Sequence, residues 1–377
     1  MSPTALTTIE PGHGRVVLVF GAHADDPTLF CGGTIARWAA AGWHVVVVRV
    51  TDDRWDSVGV GEAETIAISR VQFESAMALL GVAETEHWDL PTDTLADTSE
   101  VALRARAIHA IRRHRPHTVV CHDPHSGLGE DNEDHWMVGR AVAEALWCAQ
   151  FDKHHPEHLA AGLECHGAFE EWWYGRPPGA VTDVVDVEPV LDTVIDAACC
   201  HELALRNLVH QLRLQARTGG WRLPVLDDAF AGDVRPLVGA LLRDRLGRSG
   251  APYGLVGAEE FRVVRFGGLA GLLDRTIPNH VYIVEPQSAV YTTHGDLWDA
   301  LYREHAATRD APEDRFLPLT LEMGSWAWVR KNPRQLLSNG GAFNPIIPHR
   351  RARAMRRHLP LLDLLRRAAA NDTRWRP

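Results

Sequence analysis

Residues 15–21, RVVLVFG, run through one alanine into HADDPTLFCGGTIARW (23–38), and the fold is read outward from this junction. A short, nearly continuous apolar run bounded by a glycine is the pattern of a strand buried on both faces. The helical period that follows, from about Thr34 to Ala41, stops at Gly42, where a helix would end. The unit therefore reads strand, loop, helix. It recurs: HVVVVRV (44–50) is a second buried strand, Glu62–Leu80 and 99–114 carry helical period, and HTVVCHD (117–123) is a further strand. A helix from about Trp136 to Ala149, a strand AVTDVVDV (180–187) and one long helical stretch from Pro189 to about Gln215 complete the series. Strands alternating with helices at this spacing imply parallel βαβ units. The expectation is an α/β fold, a Rossmann-like three-layer sandwich with a mostly parallel sheet. The stretch 151–179 is expected to loop over the sheet edge. After GAEEFRVVRFGG (257–268), read as a closing strand, the character changes to Pro- and Arg-rich stretches such as NPIIPHRRARAMRRH (344–358). This places a boundary near 268, with a first domain over 1–268 and a C-terminal extension over 269–377 acting in capping or oligomerisation.

Composition narrows the partners. The chain has 377 residues, of which 45% are hydrophobic and 23% charged, enough to bury a full core. Its formal net charge of -10 argues against nucleic acid or an anionic membrane as the main partner, because phosphate binding needs a basic face. A small, neutral or cationic molecule fits better. The six cysteines form no CxxC pair and no even spacing, so neither a disulfide framework nor a thiolate metal site is indicated. No apolar run approaches the ~18 residues of a membrane span, and the N-terminus lacks a signal-peptide pattern. A soluble cytoplasmic protein is expected, with a homo-oligomer compatible with the sequence.

The junction also carries the chemistry. His23, Asp25 and Asp26 follow the first strand, and in a doubly wound sheet ligands bind outside the carboxyl ends of the strands. A second polar cluster, CHDPHSGLGEDNEDHWMVGRAV (121–142), follows HTVVCHD, a strand that in the common order lies beside the first. His135 can thus meet His23 and Asp26. Two imidazoles and one carboxylate leave a coordination position open, the arrangement of catalytic zinc. A metal so held activates water and polarises a carbonyl, and Asp25 can accept the water proton as general base. His and Asp after a strand also serve as caps and turn formers. An HxD with a distant His further matches the two-His-one-carboxylate triad of non-haem iron oxygenases, so Zn2+ or another divalent ion such as Fe2+ could occupy the site.

GAHADDPTLFCGGTIA and EDNEDHWMVGRAV resemble the paired signatures of the LmbE-like (PIG-L) deacetylases, an AHPDDE followed by a GGT helix start and a later HPDHxxxGxA. Arg70 with Glu74, Asp93 in LPTDT and the helix ending at His201 are similar to further family elements, so the likeness covers about 15–268. The resemblance implies removal of an N-acetyl group from an N-acetylglucosamine-type conjugate in natural-product or thiol biosynthesis. It also implies His23, Asp26 and His135 as zinc ligands, Asp25 as base, and Arg70 and Asp93 as sugar contacts. The sequence departs from the pattern at Ala24, at Pro27 and, above all, at Asn132, which stands where the family has a histidine that stabilises the oxyanion. Asn132 itself, His201, His122 or His125 are the candidates for that role. A non-sugar amidase, a two-His-one-carboxylate iron oxygenase and a degenerate, non-catalytic binding protein are the competing readings. Trp55, Trp172, Trp173 and Trp221 fall in predicted loops where an aromatic face could meet a sugar ring or simply pack. The glycines of CGGTIARW either present amides to an anion or permit close helix packing. The run containing His154, His155 and His158 reads as a solvated loop.

Overall fold

The computed structural model describes residues 3–126, 130, 132–175 and 181–265; the extension over 269–377 lies outside the described residues. The strands are β1 (Thr4–Leu6), β2 (Val16–Gly21), β3 (His44–Thr51), β4 (Glu84–Leu90), β5 (Thr118–His122), β6 (Glu170–Tyr174), β7 (Asp183–Asp186) and β8 (Ala258–Arg265). The helices are α1 (Asp26–Ala40), α2 (Glu62–Leu79), α3 (Glu100–His114), α4 (Glu133–Cys148), α5 (Pro156–Ala160), α6 (Leu191–Cys200), α7 (Glu202–Thr218), α8 (Pro224–Ala231) and α9 (Arg235–Gly250).

The strands form one sheet in the order β1-β7-β8-β6-β5-β2-β3-β4. Every neighbouring pair is parallel except those made by β8, which runs antiparallel to β6 and β7. Successive side chains of a strand point to opposite faces, and β2 shows the result. Val17 and Val19 pack with Ile35 and Trp38 of α1 and Phe73 and Met77 of α2. Leu18 and Phe20 pack with Leu103, Ala107 and Ile111 of α3 and Val138 and Val142 of α4. Helices on both faces of a mostly parallel sheet make the expected α/β sandwich.

Two expectations need correction. The stretch 151–179 is not wholly an excursion, because it contains β6, which sits inside the sheet between β5 and β8. EEWWY has no period-2 alternation, and its first glutamate is neutralised by Arg265 of β8 at 2.9 Å, a partner 95 residues away. Trp172 and Trp173 accordingly lie in the core, not in a loop. The single helix expected over 189–215 is broken at His201, whose φ of -81° and ψ of 52° separate α6 from α7.

Helix α1 carries a break of its own at Cys31 (φ -142°, ψ 19°). The freed amides of Gly33 and Thr34 donate to the buried carboxylate of Glu259 on β8, each at 2.8 Å, and the Thr34 hydroxyl adds a bond of 2.6 Å. The glycine-rich helix start thus does hold an anion, one supplied by the chain itself. Gly33 is also required for space, since a Cβ there would lie 2.5 Å from Val187 Cγ1. Among the described residues no helix is long and apolar enough to cross a membrane. All six cysteines are free.

Candidate metal and catalytic centre

Strands β2, β3, β4 and β5 are mutually parallel, so the loops after their carboxyl ends meet at one edge of the sheet. The Thr51 amide and hydroxyl both donate to Ala22 O (2.9 and 2.7 Å), which holds the β2–β3 pairing one residue past β2 before the chain turns through His23. Pro27 lies in the first turn of α1, where its missing N–H removes no helical bond. Asp25 occupies the N-cap position, yet its side chain makes no capping bond. The helix therefore does not engage the Asp25 carboxyl.

The opposing wall comes from α4. The Asn132 side-chain oxygen accepts from Asp134 N at 2.9 Å and starts the helix, which leaves the amide nitrogen of Asn132 free of the cap. Gly139 lets α4 press on the end of β5, because a Cβ there would stand 2.8 Å from His122 O. This packing brings His135 onto His23 and Asp26.

The three side chains converge. His135 Nε2 lies 3.2 Å from His23 Nδ1 and 3.2 Å from Asp26 Oδ1, and His23 Nδ1 lies 3.5 Å from Asp26 Oδ2. Asp26 Oδ2 also accepts the His23 amide at 2.8 Å, which fixes the carboxylate plane. Two donors about 2.0–2.1 Å from a tetrahedral ion stand about 3.3 Å apart, so the spacing and the donor types suit a small divalent cation. The outer nitrogen of each ring faces a carboxylate: His23 Nε2 faces Asp134 at 3.4 Å and His135 Nδ1 faces Glu130 at 3.1 Å. A carboxylate on the far nitrogen directs the lone pair of the near one into the centre. Asp134 in turn accepts the amides of Asp93 (2.7 Å) and Leu95 (3.1 Å), tying the loop after β4 to the same histidine.

Burial alone would lower the pKa of His23, but Asp134 and Asp26 outweigh it and hold it well above the usual value. His135 is likewise raised to about 9, where Asp26 and Glu130 outweigh burial. Burial works to raise Asp26, and the facing His135 and His122 nevertheless hold it well below the ordinary carboxylate range. At Asp25 the balance goes the other way: burial, then the charges of Asp26 and Asp56, outweigh the pull of His23 and push its carboxyl up to about 8. Neighbouring carboxyls driven in opposite directions are suited to different tasks.

The centre opens into a cavity of about 540 Å³, within the range of small-molecule sites. Asp93 and Asn132 line it, as do Trp55, Asp56, Asn207 and Gln211, and Asn207 Nδ2 donates to Asp56 Oδ1 at 2.9 Å. Among the described lining residues six are Asp or Glu and none is Lys or Arg. The other candidates lie elsewhere. His201 is buried outside the cavity lining with Nε2 3.0 Å from the Thr28 hydroxyl, and burial lowers its pKa to about 4. Arg70 is also outside the lining, exposed and bonded to both oxygens of Asp89 at 2.6 Å. His122 stacks on His135 with centroids 3.8 Å apart. Trp221 is 75% exposed and does not line this cavity.

Sequence reasoning did not single out Glu130, Asp134, Asp56 or Asn207. The first two carried a signal, since a ligating histidine needs a carboxylate partner and EDNEDH supplies several. Asn207 carried none, being brought in by α7 from 151 residues away.

Comparison with known proteins agrees with this geometry. Residues 18–146 match the family model described as PIG-L, GlcNAc-PI de-N-acetylase. The chain is 29% identical over 237 residues to a 1D-myo-inositol 2-acetamido-2-deoxy-alpha-D-glucopyranoside deacetylase of Rhodococcus opacus, covering 50% of this chain and 80% of that one. It is 33% identical over 165 residues to the enzyme of the same name from Mycobacteroides abscessus, covering 35% of this chain and 57% of that one. Among solved structures, an N,N'-diacetylchitobiose deacetylase from Pyrococcus horikoshii shares the fold at a TM-score of 0.55 and 20% identity, over 72% of this chain and 89% of that one. The fold, the paired motifs and these relatives together show a PIG-L, LmbE-like family domain over residues 18–146 of the chain.

Proposed function

We propose that the chain is a metal-dependent hydrolase that removes the N-acetyl group from an N-acetylglucosamine-type amino-sugar conjugate. The observation that carries this reading is the meeting of His23, Asp26 and His135 at mutual distances of 3.2 to 3.5 Å, beside an Asp25 carboxyl that makes no capping bond, in the lining of one cavity. The three ligands would hold zinc, which supplies Lewis acidity toward the acetamide carbonyl and toward water. Asp25 takes the proton of the attacking water and passes it to the amine as the carbon–nitrogen bond breaks, so that acetate and free amine leave. Asn132, its oxygen held by the α4 cap, directs its amide nitrogen at the oxygen that gains negative charge. His201, held neutral against Thr28, supports α1 in this reading and does not touch substrate.

Six acids and no Lys or Arg in the described lining favour a neutral polyol over a phosphorylated sugar. Trp55 at the rim offers a face to a pyranose ring, and Asp93 accepts its hydroxyls. The test is mass spectrometry of zinc-loaded protein incubated with N-acetylated glycosides, including a glucosaminyl-inositol, alongside His135→Ala. Loss of one acetyl group is expected with the native chain and none with the variant. A variant that keeps both tight zinc and turnover would remove His135 from the centre.

A further inference from the structure

Strand β3 reads HVVVVRVT, and its one charged side chain, Arg49, is fully buried. Its Nη1 donates to Asp53 Oδ2 at 3.1 Å and its Nη2 to Asp89 Oδ1 at 3.1 Å. Asp53 is itself buried and adopts a left-handed φ of 56°, a conformation that costs a non-glycine residue free energy. Its oxygens are divided between two tasks. Oδ2 takes Arg49 and the Ser69 hydroxyl (2.8 Å), while Oδ1 takes the amide of Ala24 at 3.1 Å.

That amide belongs to the peptide joining His23 to Ala24, directly before Asp25 and Asp26. Ala22 O is already held by Thr51, so the chain is pinned on both sides of His23 by residues that follow or end β3. A fully buried ion pair is weak evidence of stabilisation, because apolar residues of similar volume commonly replace one at no loss. Its presence in a valine strand, together with the left-handed turn at Asp53, calls for a different account. We propose that Asp53, anchored by Arg49, is a positioning residue that fixes the backbone between His23 and Asp26 and so presets the metal centre. The Arg49–Asp89–Arg70 pairs continue this brace to α2. Arg70, in this account, braces the loop from outside. The inference rests on the metal reading given above.

The test compares two double variants that both remove the buried charges. Arg49→Met with Asp53→Ala leaves the Ala24 amide without an acceptor, whereas Arg49→Met with Asp53→Asn keeps a carbonyl oxygen for it. Zinc affinity is measured by chelator competition at 25 °C on folded protein, and hydrogen exchange is followed over the peptide containing Ala24. The first variant is expected to bind zinc about 10- to 100-fold more weakly and to lose protection at this peptide. The second is expected to stay within about threefold of the native chain, well short of the roughly 10- to 100-fold loss that follows removal of a supporting partner. Equal affinity and equal protection in the two variants would overturn the proposal, whether both match the native chain or both fall together. If the native chain binds no zinc, the metal reading fails instead, and the exchange comparison still decides whether Asp53 fixes the loop.

Discussion

Removing the Asp134 carboxylate would strike the centre and the wall of the cavity in one step. The side chain is 1% exposed and accepts the amides of Asp93 and Leu95 while facing His23 Nε2. In Asp134→Ala both amides lose their acceptor, and each buried group left unpaired costs about 1–3 kcal/mol. The expected loss of stability is therefore roughly 2–6 kcal/mol, with the partly buried Asp93 amide at the low end of its share, against the ~5–15 kcal/mol of a typical domain, so the variant should show a lower denaturation midpoint. His23 simultaneously loses the carboxylate that directs its Nδ1 lone pair inward, and zinc should bind about 10- to 100-fold more weakly. In Asp134→Asn one acceptor survives and the other becomes a donor facing a donor, so both effects should be intermediate. Urea denaturation and chelator competition read the two quantities separately. Native-like zinc affinity in Asp134→Ala would refute the coupling of His23 to this carboxylate, and equal behaviour of the Asn and Ala variants would refute the assignment of its two oxygens.

Asp25→Asn should retain stoichiometric zinc by elemental analysis while kcat falls by ~10²- to 10⁴-fold, the span of a lost general base; zinc lost in step with activity would make Asp25 a ligand. Asn132→Asp should lower kcat more than Asn132→Ala, because a carboxylate repels the charge that develops on the carbonyl oxygen, and native kcat in both would exclude Asn132 from the reaction. His201 contributes an acid-limb signature. Its folded pKa of about 4 lies below the ordinary 6.5, so between these values the unfolded chain takes up a proton that the folded one refuses. Stability should thus fall by about 3 kcal/mol as pH drops through this window. His201→Gln should flatten that slope in denaturation curves recorded from pH 7 to pH 4, and an unchanged slope would refute the assignment.

The strands that carry the centre were legible because they are apolar, uninterrupted and bounded by glycine or proline, and because polar residues crowd immediately after them. RVVLVFG and HTVVCHD became neighbouring strands, which is why His23 and His135 meet. Strand β6 was illegible: its two glutamates look like solvent-facing residues until Arg265 arrives from β8 to pair with the first of them. The break at His201 was hidden for a similar reason, since the ring is held by Thr28, 173 residues earlier. Arg70 and Asp93 were both expected to reach a sugar, yet local sequence could not distinguish an arginine claimed by Asp89 from an aspartate on the cavity wall. Asn207 and Gln211 sit on an ordinary amphipathic helix, and only the packing of α7 makes them part of a site.

The bonds from Glu259 to Gly33 and Thr34 span more than 220 positions of the chain. During synthesis the first helix is made early, but the anion that satisfies its broken turn is among the last of the described residues to leave the ribosome. Until then two buried-to-be amides have no protein partner, and the kink at Cys31 has nothing to hold it. Contacts of such long range form late and slowly. Until β8 is made, the nascent chain has its first helix incomplete and apolar strand surface uncovered, and such an interval exposes it to aggregation.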